Sequence, residues 1–109
     1  MKKLTFEDLQ DACAKRLPLA FPQCMEWTEA DWIMATVGEL GELANILKKV
    51  KRGSRKLTKK VKKEIELELA DTITYLCGFL ANYLKIDAGE VTKEKFNIVS
   101  KKYKCLVKL

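Results

Sequence analysis

The chain contains no histidine, so it cannot bind a metal ion through an imidazole ligand. Its four cysteines, Cys13, Cys24, Cys77 and Cys105, form no C-x-x-C pair. Because structural zinc sites need clustered cysteine or histidine, no zinc site is expected. Cys77 lies in an apolar helical stretch and is expected to be a small core residue. We therefore expect reduced thiols rather than disulfides.

The sequence also lacks any apolar run near the roughly 18 residues that a membrane-spanning helix requires. Its N-terminus turns polar at once and shows no apolar signal stretch. We therefore expect a cytoplasmic protein with no membrane partner. A hydrophobic fraction of 48% favours a single folded domain, 1–109, over a disordered chain.

Proline and glycine are scarce, with two and five residues, and apolar residues recur at helical rather than strand spacing. The pattern predicts an all-α fold. Pro18 and Pro22 are expected to bracket a loop after the first helix. The four predicted helices run from about Thr5 to Arg16, from Thr28 to Gly53, from Thr58 to Leu84, and onward from Asp87.

Helical spacing also predicts which residues face inward. From Leu67 onward the third helix is apolar on nearly every side, so we expect a second subunit to cover it. In the fourth helix the inward residues are Val91, Phe96, Val99 and Tyr103. In the second helix they are Ile33, Val37, Leu40, Ala44 and Leu47.

The net charge of +6 has one local source. Ten of the 21 basic residues lie between Lys48 and Lys63, a stretch without an acid, and the rest of the chain carries a net charge of −4. A small helical nucleic-acid-binding protein would use such a stretch to contact phosphates. That alternative does not explain the acids Glu39, Glu42, Glu68 and Asp71, so nucleic acid is not the expected partner.

Two short acidic motifs stand apart from the other charges: Glu39-Leu-Gly-Glu42 and Glu68-Leu-Ala-Asp71. Residues three apart share one face of a helix. Both pairs interrupt rows of otherwise apolar residues, where an unpaired carboxylate costs several kcal/mol, as an order of magnitude. A hard cation with oxygen ligands, Mg²⁺ or Mn²⁺, would compensate the four charges. The alternative is that these acids form salt bridges with lysines on solvated faces.

Gly38 and Gly41 lie inside the second helix, next to the two glutamates. Each glycine costs about 1 kcal/mol relative to alanine there. Close helix packing or close approach of a ligand would explain them, and close packing is the favoured explanation.

Taken together, these segments resemble the MazG-like nucleotide pyrophosphohydrolases. The first half of the resemblance is WTEADWIMATVGELGELAN (27–45) with the basic residues 48–52. The second half is ELELADTITYLCGFLANYL (66–84) with the triplet Lys95-Phe96-Asn97. The spacer of 25 residues between Glu42 and Glu68 adds specificity, whereas segment 53–63 is more basic than the family pattern.

The resemblance implies a four-helix MazG-like fold whose helices pack into an oligomeric bundle, a homodimer or homotetramer. It implies Mg²⁺-dependent hydrolysis of a nucleoside triphosphate to the monophosphate and pyrophosphate, as in house-cleaning of the nucleotide pool. The implied metal ligands and catalytic residues are Glu39, Glu42, Glu68 and Asp71. Lys95 and Asn97 match positions that contact phosphate or nucleotide, and Tyr75 falls where a nucleotide contact is expected.

Other residues are candidates for substrate binding by their chemistry alone. Lys48, Lys51, Arg52 and Lys95 would stabilise phosphate charge, the alternative being that each lysine is a solvated surface residue. Trp27 would stack on a base, whereas Trp32 is expected in the core. Glu39 or Glu42 would accept a proton from the attacking water. A non-catalytic oligomeric helical module is the remaining alternative.

Overall fold

The computed structural model describes residues 2–109, and every regular secondary-structure element assigned in this range is a helix. The all-α prediction, with four helices, is therefore confirmed. The third predicted helix comprises α3, a π-helical segment and α4, which follow one another without a break. In chain order the elements are α1 (Phe6–Ala20), a 3-10 turn (Pro22–Cys24), α2 (Glu29–Arg52), α3 (Lys59–Ile73), the π segment (Thr74–Leu80), α4 (Ala81–Tyr83) and α5 (Ala88–Lys102).

Within 2–109, no helix is both long and apolar enough to cross a membrane.

Short polar residues begin the helices and glycine ends the longest one, as the sequence predicts. Thr5 Oγ1 accepts the Asp8 N–H at 3.0 Å, and Asp8 Oδ2 accepts the Thr5 N–H at 3.1 Å. At the start of α2, the Thr28 N–H donates to Asp31 Oδ2 at 2.9 Å. Gly53 ends α2 with a φ of 81°, a left-handed conformation that glycine adopts without steric cost. These caps fix where α1 and α2 begin and where the α2–α3 connection starts.

The predicted end of the first helix at Arg16 is wrong, because α1 passes through Pro18 and ends at Ala20. A proline removes only one backbone donor, and this one lies in the last turn, where few hydrogen bonds depend on it. The Phe21 N–H still donates to the Leu17 carbonyl at 3.0 Å. The chain leaves the helix only at Pro22, where the 3-10 turn begins.

The core is a small cluster where α1, the 3-10 turn, α2 and the π segment meet. Trp32 is 3% exposed and stacks on Phe79, with ring centroids 4.9 Å apart. Gly78 lets α1 approach the π segment closely, because a Cβ at this position would overlap Cys13 Sγ. The buried members of the cluster are Cys13, Cys24, Trp32, Phe79 and Leu80.

The apolar stripe predicted as the inward face of α2 is exposed, so that prediction is wrong for the single chain. Helix α2 has two neighbouring apolar faces, and the face that packs on α3 and the π segment is the one that carries the acids. Periodicity alone does not show which face meets which partner. The exposed residues are Ile33, Val37, Leu40, Ala44 and Leu47. The buried ones are Trp32, Thr36 and Leu43.

Together the two long helices present an exposed apolar flank, defined as this α2 stripe together with Leu69, Ile73 and Leu76. Helical spacing places the α2 stripe about 80–160° around its helix from Glu39, and the α3 stripe about 80–140° around its helix from Glu68. In an antiparallel helix pair both stripes therefore lie on one side, next to the acidic face. The accessible surface of the chain is 8695 Å², whereas a compact monomer of this mass exposes about 6,200 Å². The radius of gyration is 16.6 Å, against about 13 Å for a compact domain of this length. One chain alone thus leaves much apolar surface open.

Helix α5 packs mainly on α1 and buries only Ala88 and Ser100. Its predicted inward residues are exposed, so this prediction is also wrong for the single chain. Apolar periodicity identifies a helix face that can be buried, but it does not show whether the same chain or another surface covers that face. The exposed residues are Val91, Phe96, Val99 and Tyr103.

Candidate metal centre

Facing turns of α2 and α3 bring three carboxylates together. Glu39 and Glu42 project from α2 and Glu68 from α3, and one oxygen of each lies within 4.8 Å of the others. Glu39 and Glu68 are half-buried, while Glu42 is exposed. The two acidic motifs, 25 residues apart in sequence, therefore meet at one site in the fold.

Asp71, the fourth predicted ligand, lies one turn after Glu68 and is exposed. It is not a member of the three-carboxylate group. Its negative charge nevertheless contributes to raising the pKa values of Glu39 and Glu68. Asp71 thus lies at the rim of the site, close enough to act on it electrostatically.

Glu68 is the most perturbed acid of the site. Its Oε2 atom is buried and has no hydrogen-bond partner. Burial, then a hydrogen bond with the Glu42 carboxyl, then the charges of Glu42, Glu39 and Asp71 raise its pKa to about 7. Burial, followed by the charges of Glu42 and Asp71, also raises the pKa of Glu39. The cluster is therefore unfavourable when all its members are ionised without a cation.

No lysine or arginine compensates these charges within residues 2–109. The ion pairs there are Lys2–Asp8, Arg55–Glu64 and Lys63–Glu66, and none involves a predicted ligand. The alternative of surface salt bridges thus has no support from the described residues.

The residues present fit a hard divalent cation. The donors are all carboxylate oxygens, which Mg²⁺ and Mn²⁺ prefer. The orphaned Oε2 belongs to the Glu68 carboxylate of this group, so a cation bound there would offset its charge. An exposed Glu42 and a rim Asp71 leave the site open on one side, as a site that admits phosphates requires.

Tyr75 forms the wall between the carboxylates and the aromatic core. Its ring packs against Phe79 and Trp32, with centroids 5.7 and 6.2 Å away. Burial first, and then the charges of Glu39, Cys24, Asp71 and Glu42, raise the pKa of its hydroxyl. Tyr75 is thus a neutral hydroxyl beside the acidic cluster.

Trp27 and Trp32 lie side by side, with ring centroids 4.6 Å apart. Trp32 is a core residue, as expected, whereas Trp27 is half-buried. Both line a pocket of about 240 Å³ between α1, the start of α2 and the π segment. Trp27 therefore has an accessible aromatic surface.

The basic candidates of α2 lie beyond the carboxylates along the helix. Lys48, Lys51 and Arg52 are exposed and follow Glu42 by six to ten residues. This spacing corresponds to roughly 9–15 Å along the helix axis. Of these three, only Lys48 is near enough for its long side chain to approach the carboxylates.

The α5 candidates are not brought to the carboxylates by the contacts within one chain. Lys95 is exposed on a helix that packs mainly on α1. The Asn97 amide bonds the backbone of Leu109, donating to its carbonyl at 3.1 Å and accepting its N–H at 2.9 Å. In this structure Asn97 holds the C-terminal residues.

Close packing within the chain does not explain Gly38 and Gly41. A Cβ at either position would have no atom within 4 Å among the described residues. Both glycines face open space, which leaves a ligand or another chain as the reason for them.

Sequence reasoning missed the π segment, which carries Tyr75. Its signal is a pair of threonines: Thr72 Oγ1 donates to the Glu68 carbonyl and Thr74 Oγ1 to the Ala70 carbonyl, both at 2.9 Å. Threonines that bond back to the carbonyl four residues earlier bend helices, and π segments are common at functional sites.

The chain was also compared with known proteins, and no protein-family model, no curated protein and no solved structure matches it.

Proposed function

We propose that the protein is a Mg²⁺-dependent nucleoside triphosphate pyrophosphohydrolase, similar to MazG-like enzymes, that converts a (d)NTP to (d)NMP and pyrophosphate. The observation that supports this proposal most is the buried, partnerless Oε2 of Glu68. Glu68 lies in a group with two further carboxylates and forms no ion pair with a basic residue within 2–109. A purely structural helical module would neutralise such acids with lysine or arginine.

In this proposal Glu39, Glu42 and Glu68 hold the cation, and Asp71 joins them from the rim. Mg²⁺, when bound, offsets charge on the phosphates and makes a water more acidic. The carboxylates themselves align the triphosphate by fixing where the positive charge lies. Glu39, which is half-buried beside the other two carboxylates, would accept a proton from the attacking water.

The surrounding residues bind the rest of the nucleotide. Lys48 stabilises negative charge on the phosphates, with Lys51 and Arg52 acting at longer range. Tyr75 offers a neutral hydroxyl beside the carboxylates, where a sugar or phosphate oxygen would accept its hydrogen bond. Trp27 offers an aromatic surface on which a base stacks.

The proposed enzyme works as a homodimer or homotetramer. The chain exposes roughly 2,500 Å² more surface than a compact monomer of its mass. A standard interface buries about 800 Å² on each partner. The apolar flank offers a continuous surface for it. Assembly would also give Lys95 and Asn97, which lie on α5, a route to the site of a second subunit.

The direct test is release of pyrophosphate from a panel of standard and oxidised or methylated (d)NTPs with Mg²⁺ or Mn²⁺. We expect turnover of at least one nucleotide, with no activity in excess EDTA. The variant Glu68→Gln should lose activity by orders of magnitude, whereas Glu66→Gln, two residues away on an exposed position, should retain it. Orthophosphate as the product, or turnover that survives the chelator, would refute the mechanism.

A further inference from the structure

The turn between α2 and α3 carries a concentrated positive charge that the proposed function uses only in part. This basic tip consists of ten residues from the end of α2, the connection and the first two turns of α3. They are Lys48, Lys49, Lys51, Arg52, Arg55, Lys56, Lys59, Lys60, Lys62 and Lys63.

The basic tip is built on a hydrogen-bonded framework. The N–H groups of Ser54 and Arg55 both donate to the Lys49 carbonyl, at 3.1 and 3.2 Å. Arg55 Nη2 also bonds Glu64 Oε2 at 2.7 Å, which ties the connection to α3. The backbone of the connection between α2 and α3 is therefore held in place.

Most of these charges have no partner in the described part of the chain. Only Arg55 and Lys63 pair with an acid within 4.0 Å. Lysines at the start of α3 also oppose the helix dipole, and the first turn of α3 contains no acid. The basic tip thus lowers the stability of the fold, so another role must account for it.

Distance separates the far end of the basic tip from the carboxylates, although Lys48 and Lys63, at its near end, lie within about 10 Å of them along the helices. Lys59 precedes Glu68 by nine residues and Arg52 follows Glu42 by ten. These spacings correspond to roughly 13–15 Å along the helices, beyond the Debye length of about 8 Å at physiological salt. The carboxylates of the metal centre therefore do not prevent a polyanion from approaching the far end of the basic tip.

We propose that the basic tip binds the phosphodiester backbone of a nucleic acid, without selecting bases. Clustered lysines bind phosphates independently of sequence. The stretch 48–63 contains no aromatic residue, so it provides no platform for stacking of bases. A membrane surface fits less well, because Leu57 is the only large apolar side chain exposed in this stretch and membrane-bound helices insert an apolar face.

This inference is independent of the proposed hydrolase activity, and its test is run without nucleotide and in EDTA. Fluorescence anisotropy would measure binding of a labelled 20-base-pair DNA duplex at salt concentrations between 50 and 200 mM. If about five tip residues contact phosphates, log K should fall with log salt at a slope of about −4.5.

The decisive variant replaces Lys59, Lys60 and Lys62 by glutamine. It should bind the duplex at least tenfold more weakly at about 0.1 M salt and reduce the slope by about 2–3. Arginine at the same three positions should retain binding. The matched control replaces three exposed lysines outside the basic tip, Lys15, Lys93 and Lys101, by glutamine and should bind like the parent.

Circular dichroism would verify that each variant keeps its helices. Equal binding by the tip variant and the control would overturn the proposal, because any lysines would then serve. So would stronger binding to phosphatidylserine vesicles than to the duplex, which would assign the basic tip to a membrane surface. Glu68→Gln should bind DNA like the parent. The DNA-binding result can therefore be interpreted even if the hydrolase proposal fails.

Discussion

Replacing Glu68 by glutamine tests the metal centre through stability as well as activity. The side chain keeps its shape but loses a charge that lies beside Glu39, Glu42 and Asp71. Without metal the variant should therefore be more stable than the parent at pH 8, because one of four mutually repelling carboxylates has been removed.

The pH dependence has a defined sign. The pKa of Glu68 is about 7 in the folded chain and 4.5 ordinarily, so the folded state retains the proton more strongly than the unfolded state. Between these two values the parent loses stability as pH rises. The advantage of the glutamine variant should therefore be absent below about pH 4.5 and complete above about pH 7.

Glu66→Gln is the matched control on the same helix. The hydrogen bond and charge of Lys63 lower the pKa of Glu66. The stabilising effect of the Lys63–Glu66 interaction is present at neutral pH and is lost as pH falls through the pKa of Glu66 in the folded chain. This control should therefore be slightly less stable than its parent at pH 8, the opposite sign to the Glu68 variant.

Magnesium should reverse the ranking of parent and Glu68→Gln. At 100 times its dissociation constant, a ligand stabilises the folded state by about 2.7 kcal/mol, which raises the melting temperature by roughly 10 °C in a domain of this size. If the substitution weakens Mg²⁺ binding a hundredfold, the same concentration stabilises by only about 0.4 kcal/mol. Differential scanning fluorimetry in EDTA and in Mg²⁺, from pH 4.5 to 8, gives all these values. A destabilised variant with an undiminished Mg²⁺ shift would refute the assignment.

Three further substitutions probe the surfaces and packing around the site. Leu40→Asp, on the apolar flank, should reduce the assembly to monomers in sedimentation velocity. The control Met34→Asp, on another face of α2, should leave the assembly intact. A parent protein that is already monomeric would refute the proposed assembly. Gly41→Ala faces open space and should raise the free energy of unfolding in urea by about 1 kcal/mol, and a loss instead would show that another chain packs there. Gly78→Ala should cost about 1–3 kcal/mol in the same assay through overlap with Cys13 Sγ, and Cys13→Ala in that background should restore part of the loss.

The sequence predicted the helices well because their signals are local. Threonine caps at Thr5 and Thr28 and a glycine stop at Gly53 act within one turn, so they can be read without knowing the fold. The pairing of Glu39 with Glu68 was also predictable in outline, because both interrupt apolar rows on consecutive helices.

The direction of the apolar faces was not predictable in the same way. Leu40 and Trp32 both belong to helical apolar rows, yet one is half exposed and the other is in the core. Which row meets α1, α3 or another surface depends on tertiary contacts that periodicity does not contain. The position of Asp71 at the rim and the bond between Asn97 and Leu109 likewise depend on packing and chain path.

The π segment gives the third helix room to lose one residue but not two. Its wider turns shift the phase of the helix between Glu68, which faces α2, and the buried run Gly78–Ala81, which packs around α1. Because a π turn holds one residue more than an α turn, deleting one residue from Thr74–Leu80 would restore ordinary α-helical hydrogen bonds and keep this phase nearly unchanged. Deleting two residues would instead rotate the two halves by about 100° relative to each other, and the chain would keep either its carboxylate cluster or its core, but not both. A deletion series through this segment should therefore show a tolerated single deletion and a disruptive double deletion.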